Sequence, residues 1–159
     1  MRYLRNGLVA ASLAAASATL AAPADPPTFL YKAKGSYEDV KQNLEMAIEG
    51  RGLLVRGVSH VAEMLNRTGK DLGFPKEVYS KAEALEFCSA ELSHRMILVD
   101  PTNMTTCPLT IGVYVLTDQP NQVYVAFRRQ VLAGPAAEKA EIEKKLYELV
   151  EGIVKEAIE

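Results

Sequence analysis

The chain has 159 residues, 24% of them charged and 48% hydrophobic, with a formal net charge of −2 at pH 7. Mild acidity without a dense basic block argues against nucleic acid or an anionic membrane surface as the main partner. The two cysteines, Cys88 and Cys107, allow a single bridge and not a disulfide framework.

In chain order, residues 1–24 have the layout of a secretory signal peptide. "MRYLRNG" carries two arginines and no acid, "LVAASLAAASATL" is apolar, and Ala22 and Ala24 occupy the small positions of a cleavage site. Pro23, Asp25, Pro26 and Pro27 stop the apolar run short of the roughly 20 residues that a membrane span needs. The mature protein is therefore expected to be exported, into a bacterial periplasm, with no membrane association after cleavage. Removing residues 1–24 leaves 135 residues and takes away Arg2 and Arg5, which moves the formal charge from −2 to −4. A domain of this size buries about two-thirds of its unfolded surface and has a core without needing a staple.

Residues 25–28, "DPPT", form a short stiff linker, and residues 29–158 a single domain. "FLYKAKG" from Phe29 predicts a first strand ending at Gly35. Ser36 opens a helix, with Asp39 completing the capping-box pattern and Tyr37, Val40, Leu44, Ala47 and Ile48 forming one apolar stripe. Gly50 and Gly52 are candidate caps at its end. "LLVRGVSHV" reads as a second strand, and "AEMLNRTGKDLGF" as a short helix ending near Gly69 or Gly73. "KAEALEF" is a third strand that delivers Cys88 at its end.

"SAELSHRMILV" is helical, with Leu92, Met96 and Val99 on one stripe, and Pro101 ends it. A loop containing Pro101, Thr105 and Thr106 leads to Cys107. "PLTIGVYVLTD" and "QVYVAFRRQV" flank "QPN" as a hairpin. A long C-terminal helix carries Ile142, Leu146, Leu149, Val150, Ile153 and Val154 on one face. The order β-α-β-α-β-α-β-β-α predicts an α+β fold, a mostly antiparallel sheet with helices packed on one face.

Chemistry concentrates at the cysteines. A structural disulfide ranks first; it closes a loop of roughly 20 residues and stabilises by about 3 kcal/mol, and it is expected to be buried. A redox pair ranks second, with Cys88 as attacking thiolate and Cys107 as resolving partner. The unpaired N–H groups of the helix start favour a thiolate at Cys88, while Glu86 and Glu91 oppose it. Two unpaired thiols are the remaining alternative. A metal site ranks third: His94, Met96 and Met104 lie between the cysteines and His60 elsewhere, a donor set suited to copper(I).

Met96 shares the apolar stripe and belongs in the core, which leaves His94 and Met104 as metal candidates. No phosphate-binding glycine loop, zinc spacing or haem-attachment motif is present, so no cofactor is expected. Arg128 and Arg129 end a strand and alternate to opposite faces; Arg128 is a minor candidate for holding an anion. "NRT" at Asn66 and "NMT" at Asn103 match the glycosylation acceptor pattern.

Cys88-Ser89-Ala90, Asp100-Pro101 and Cys107-Pro108 together resemble the domain-of-unknown-function family 302. There a "CNP"-like motif opens a helix, an Asp-Pro pair ends it, and a "PC" or "CP" element precedes an aliphatic strand. The resemblance spans nearly all of residues 29–158, with Ser89-Ala90 replacing the family's Asn-Pro. It implies a TATA-binding-protein-like α+β domain, commonly dimeric, with no established activity. For exported two-cysteine members it implies a setting of sulfur-compound oxidation.

The leading functional expectation is thus an exported, periplasmic binding or accessory domain without catalysis of its own. Its expected partners are a second copy of the chain, a periplasmic protein or a small sulfur compound. A thiol-redox or sulfur-handling protein using Cys88 and Cys107 is the alternative, and a copper-binding protein the third.

Overall fold

Successive side chains of a strand face opposite sides of its sheet. Along β4 (Leu109–Leu116) the residues Leu109, Ile111, Val113 and Val115 are buried, and those between them are more open. These four define the inner face. β5 (Val123–Arg128) adds Val123, Val125 and Phe127 to it, and β3 (Tyr79–Phe87) adds Leu85 and Phe87. The structure is a computed structural model that describes residues 27–159. The signal-peptide reading, and half of the linker reading, lie outside the described residues.

β1 (Thr28–Ala33) and β2 (Val55–Ser59) form the edges of a five-stranded sheet in the order β1-β5-β4-β3-β2. Every neighbouring pair is antiparallel, and the hairpin expected around "QPN" joins β4 to β5. The inner face is covered by α1 (Tyr37–Glu49), α3 (Ala90–Val99) and α4 (Ala136–Ile158). Their stripes bury Val40, Leu44, Ile48, Met96, Leu146 and Ile153. Burying each such side chain contributes about 1.5–3 kcal/mol, so the core and not the bridge is the main source of stability. This is the α+β layout expected from the element order.

The helix ends show how local chemistry fixes the layout. The Ser36 hydroxyl accepts from the Asp39 N–H at 3.1 Å and donates to the Asp39 carboxylate at 2.7 Å, closing the first turn of α1. At the other end Gly50 stays right-handed and Gly52, at φ +72°, makes the reversal. Arg51 then ties this corner to α4 through Glu156 at 2.7 Å.

One stretch departs from expectation. The segment after Pro101 is not an irregular loop but a 3-10 helix, Pro101–Thr106, with Asp100 accepting from the Thr102 N–H at 2.8 Å. Asn103 inside it is only 3% exposed. Its amide nitrogen donates to the carbonyls of Met96 and Ala133. The acceptor pattern at Asn103 is therefore no glycosylation site in the folded protein.

The outer face of the sheet carries a row of mostly small side chains, with Leu30, Ala126, Gly112, Ala84 and Ser59 in register across all five strands. Beside it Tyr114 stacks on Tyr124 and meets Tyr79 edge-on, each at 5.3 Å between ring centroids. The row leaves a shallow floor between this tyrosine cluster and the Arg128 end of β5.

Candidate functional site

The antiparallel ladder pairs Phe87 with Leu109, and Cys88 and Cys107 lie just beyond that pair. Their Cα atoms are 5.7 Å apart and their sulfurs are bonded, within the geometry a bridge requires. The intervening α3 and 3-10 helix make a closed excursion from the sheet edge, which the bridge shuts. Ser89 follows as the N-cap of α3, its hydroxyl accepting from the Leu92 N–H at 3.4 Å. Cys107 closes the 3-10 helix, its N–H donating to the Met104 carbonyl at 3.3 Å, and the Cys107-Pro108 peptide is cis. Both cysteines are half-buried and not fully buried as expected, because the bridge lies at the rim of the sheet and not beneath a helix.

The other expected residues do not gather there as a set. His94 projects from α3 on an exposed turn, Met104 is 64% exposed, and Met96 is in the core. Bonded sulfurs have no thiolate to offer a metal. Among the described residues no three of His, Cys, Asp and Glu converge as a metal-holding group.

Arg128 ends β5 on the outer face, paired with Thr28 across the ladder. Arg129, just past the end of β5, lies over the Phe29 ring, 5.3 Å from its centroid, and also lines the hollow that Arg128 borders. Arg128 borders an open concavity of about 490 Å³, with Thr105, Thr106 and Pro108 beside the bridge and Thr110 and Gly112 on the floor. Arg128 and Arg129, with Thr28, Thr105, Thr106 and Thr110, line one hollow, a set of groups that favours a small anion.

A second polar cluster was not visible in the sequence. Glu83 on β3 pairs with Val113, so its carboxylate faces the helix side of the sheet, near the edge. It accepts from the Tyr37 hydroxyl at 3.0 Å, from Lys41 Nζ at 2.6 Å and from His60 Nδ1 at 2.6 Å. Burial alone raises the Glu83 carboxyl. Hydrogen bonds from Lys41, Tyr37 and His60, with the Lys41 charge, outweigh burial and hold it below the usual carboxylate range. Burial, followed by the charge and hydrogen bond of Glu83, pushes the Tyr37 hydroxyl far up.

One carboxylate thus joins α1, β3 and the start of α2 (Val61–Gly69). Since the folded value is depressed, this stabilisation is full above the unfolded value of about 4.3. It is lost as pH falls through the folded value. Glu83→Gln is expected to cost about 2 kcal/mol at pH 7 and much less at pH 3, measured by urea unfolding. An equal cost at both pH values would rule out the charge as the cause.

The family model described as "Domain of unknown function DUF302" matches residues 29–157. The chain belongs to the DUF302 family. No curated protein matches it. A solved structure, the "uncharacterized conserved protein DUF302 from Bacillus stearothermophilus", is similar at a TM-score of 0.64 and 13% identity. The match covers 82% of this chain and 98% of that one, and at that identity it speaks for the fold.

The positions that carried the DUF302 resemblance are structural joints. Cys88-Ser89 starts α3. Asp100-Pro101 ends it and caps the 3-10 helix, the hydrogen bonds from Thr102 holding the Asp100 carboxyl low. Cys107-Pro108 enters β4. In this DUF302 chain the motif builds the bridged corner that flanks the Arg128 hollow.

Proposed function

We propose that this DUF302 chain is an exported, periplasmic binding or accessory domain that turns over no substrate itself. It holds a small anion of the sulfur-oxyanion class in the hollow beside its bridge. The observation that carries this reading is Arg128 bordering that hollow with Thr105, Thr106 and Thr110. The guanidinium offers paired N–H donors to a planar or tetrahedral anion, and the Thr106 and Thr110 hydroxyls can each donate once more, while the Thr105 hydroxyl already donates to the Thr102 carbonyl. The bridge would serve as a buttress, fixing the wall formed by Thr105, Thr106 and Pro108. In keeping with its resemblance to dimeric relatives, the domain would act as a homodimer or beside a periplasmic protein.

Calorimetric titration with thiosulfate, sulfate and acetate tests this. Thiosulfate is expected to bind, and Arg128→Ala to weaken it at least about tenfold, the loss of one charge-assisted pair. Equal affinity in the variant, or no binding heat with any of the three anions, contradicts the reading.

A second reading, a thiol-redox protein, draws on the placement of Cys88 directly before the N-cap of α3 and on its partial exposure. In that reading a periplasmic dithiol protein first reduces the pair by exchange and is itself left as a disulfide. The Cys88 thiolate attacks a substrate disulfide and expels one substrate thiol. Cys107 then displaces the other, leaving the pair oxidised and the substrate reduced by two electrons. It requires that Cys88→Ser abolish the transfer without unfolding the domain.

A further inference from the structure

At the far end of α2 the chain makes an apolar hole with no part in the site above. Residues 70–78 double back on the helix and enclose about 170 Å³ lined by Leu65, Leu72, Phe74 and Val78, with Lys70 and Lys76 among its boundary residues. The enclosure is built and not incidental. The Phe74 N–H donates to the Gly69 carbonyl at 2.7 Å. Any Cβ at Gly69 would meet the Phe74 carbonyl oxygen at 2.6 Å, and Gly73 turns the loop at φ +81°. Glycine at both positions lets the loop close this tightly. Despite that closure, Leu72 and Phe74 are 67% and 73% exposed, an unusual outlay of apolar surface for one short segment.

We propose that this hole binds the tail of an anionic amphiphile, a short alkyl chain or single aromatic ring ending in a carboxylate or sulfonate. Size argues for the tail, since an apolar cavity of about 150 Å³ takes a molecule as large as benzene. Charge argues for the head. Among the described residues Lys41, Lys81, Lys139, Lys144, Lys145 and Lys155 each have a carboxylate partner. Lys70 and Lys76, like Lys32 and Lys34, have none there; of these four, Lys70 and Lys76 border the hole, as does Glu77. Two unpaired ammonium groups beside an apolar hole are complementary to a chain with a negative end.

Amide chemical-shift mapping of the protein with sodium octanoate, and separately with 1-octanol, tests the proposal. Both ligands are expected to move the signals of residues 65–79 and to leave those around Arg128 in place. Charge reversal at Lys70→Glu with Lys76→Glu weakens octanoate about tenfold, roughly the worth of two exposed charge contacts, and leaves octanol unchanged. Phe74→Ser, at an exposed position that does not support the core, weakens both. The proposal is overturned if octanoate moves no signals below its micelle concentration, or moves only those of the Arg128 hollow. Equal weakening of octanol and octanoate by the charge reversal overturns the anionic head. Failure of the anion titration at Arg128 leaves these outcomes unaffected.

Discussion

Replacing Cys88 and Cys107 together by serine lowers the free energy of unfolding by about 3 kcal/mol and the melting temperature by about 10 °C. The domain stays folded at 25 °C. The bridge spans a sequence separation of 19 residues, so in the chain-entropy account it acts mainly by limiting the unfolded ensemble. The core on the inner face, from Leu44 and Ile48 through Ile111 to Leu146 and Ile153, does not depend on it. Urea unfolding should therefore show a lower midpoint and a larger m value as the unfolded chain opens. An unchanged midpoint contradicts the structural reading. A redox protein would show the converse pattern, intact stability and lost transfer.

Asn103→Ala is expected to cost about 3 kcal/mol, comparable with losing the bridge although it removes only one small amide. The Asn103 side chain donates to the Met96 carbonyl at 2.9 Å and to the Ala133 carbonyl at 3.2 Å. It accepts from the Ala133 N–H at 2.8 Å. The Met96 carbonyl keeps a second partner in the Asp100 N–H, so the damage falls on Ala133, which loses both contacts. Ala133 is itself exposed, so the cost comes from three lost hydrogen bonds at about 1 kcal/mol each, not from stranded buried groups. Asn103→Asp is worse, since it sets a carboxylate against two carbonyl oxygens. Thermal unfolding measures both variants; a loss below about 1 kcal/mol for the alanine form would mean that water replaces the amide freely.

Much of the fold is legible because local signals agree with one another. The stripe Val40, Leu44, Ala47, Ile48 is buried as its helical spacing requires, and the alternation in "LTIGVYV" marks the inner face of β4. Met96 is in the core with Leu92, as its place on the stripe implies. Long-range pairing is harder to read. "KAEALEF" shows that Glu83 shares a face with Leu85 and Phe87. Nothing local shows that Lys41 from one helix and His60 from the start of another meet it. The one available signal was an acidic residue on the apolar side of a strand, which demands a partner when buried.

Asn103 was obscured for a different reason. Its short 3-10 helix has no apolar periodicity, and its partner Ala133 lies 30 residues away. At the bridge the motif placed the two cysteines correctly, but their degree of burial depended on the sheet rim, which emerges only from the assembled strands.

The central claim is that Cys88–Cys107 is a structural bridge supporting a binding domain, and intact mass tests it most directly. Protein taken from its export compartment is alkylated before and after graded reduction. The account predicts an oxidised mass with no alkyl groups until strong reductant is present, then two added together as the corner opens. Ready alkylation of Cys88 without reductant, or a persulfide or copper adduct on it, contradicts the claim and assigns the chain to sulfur or metal handling.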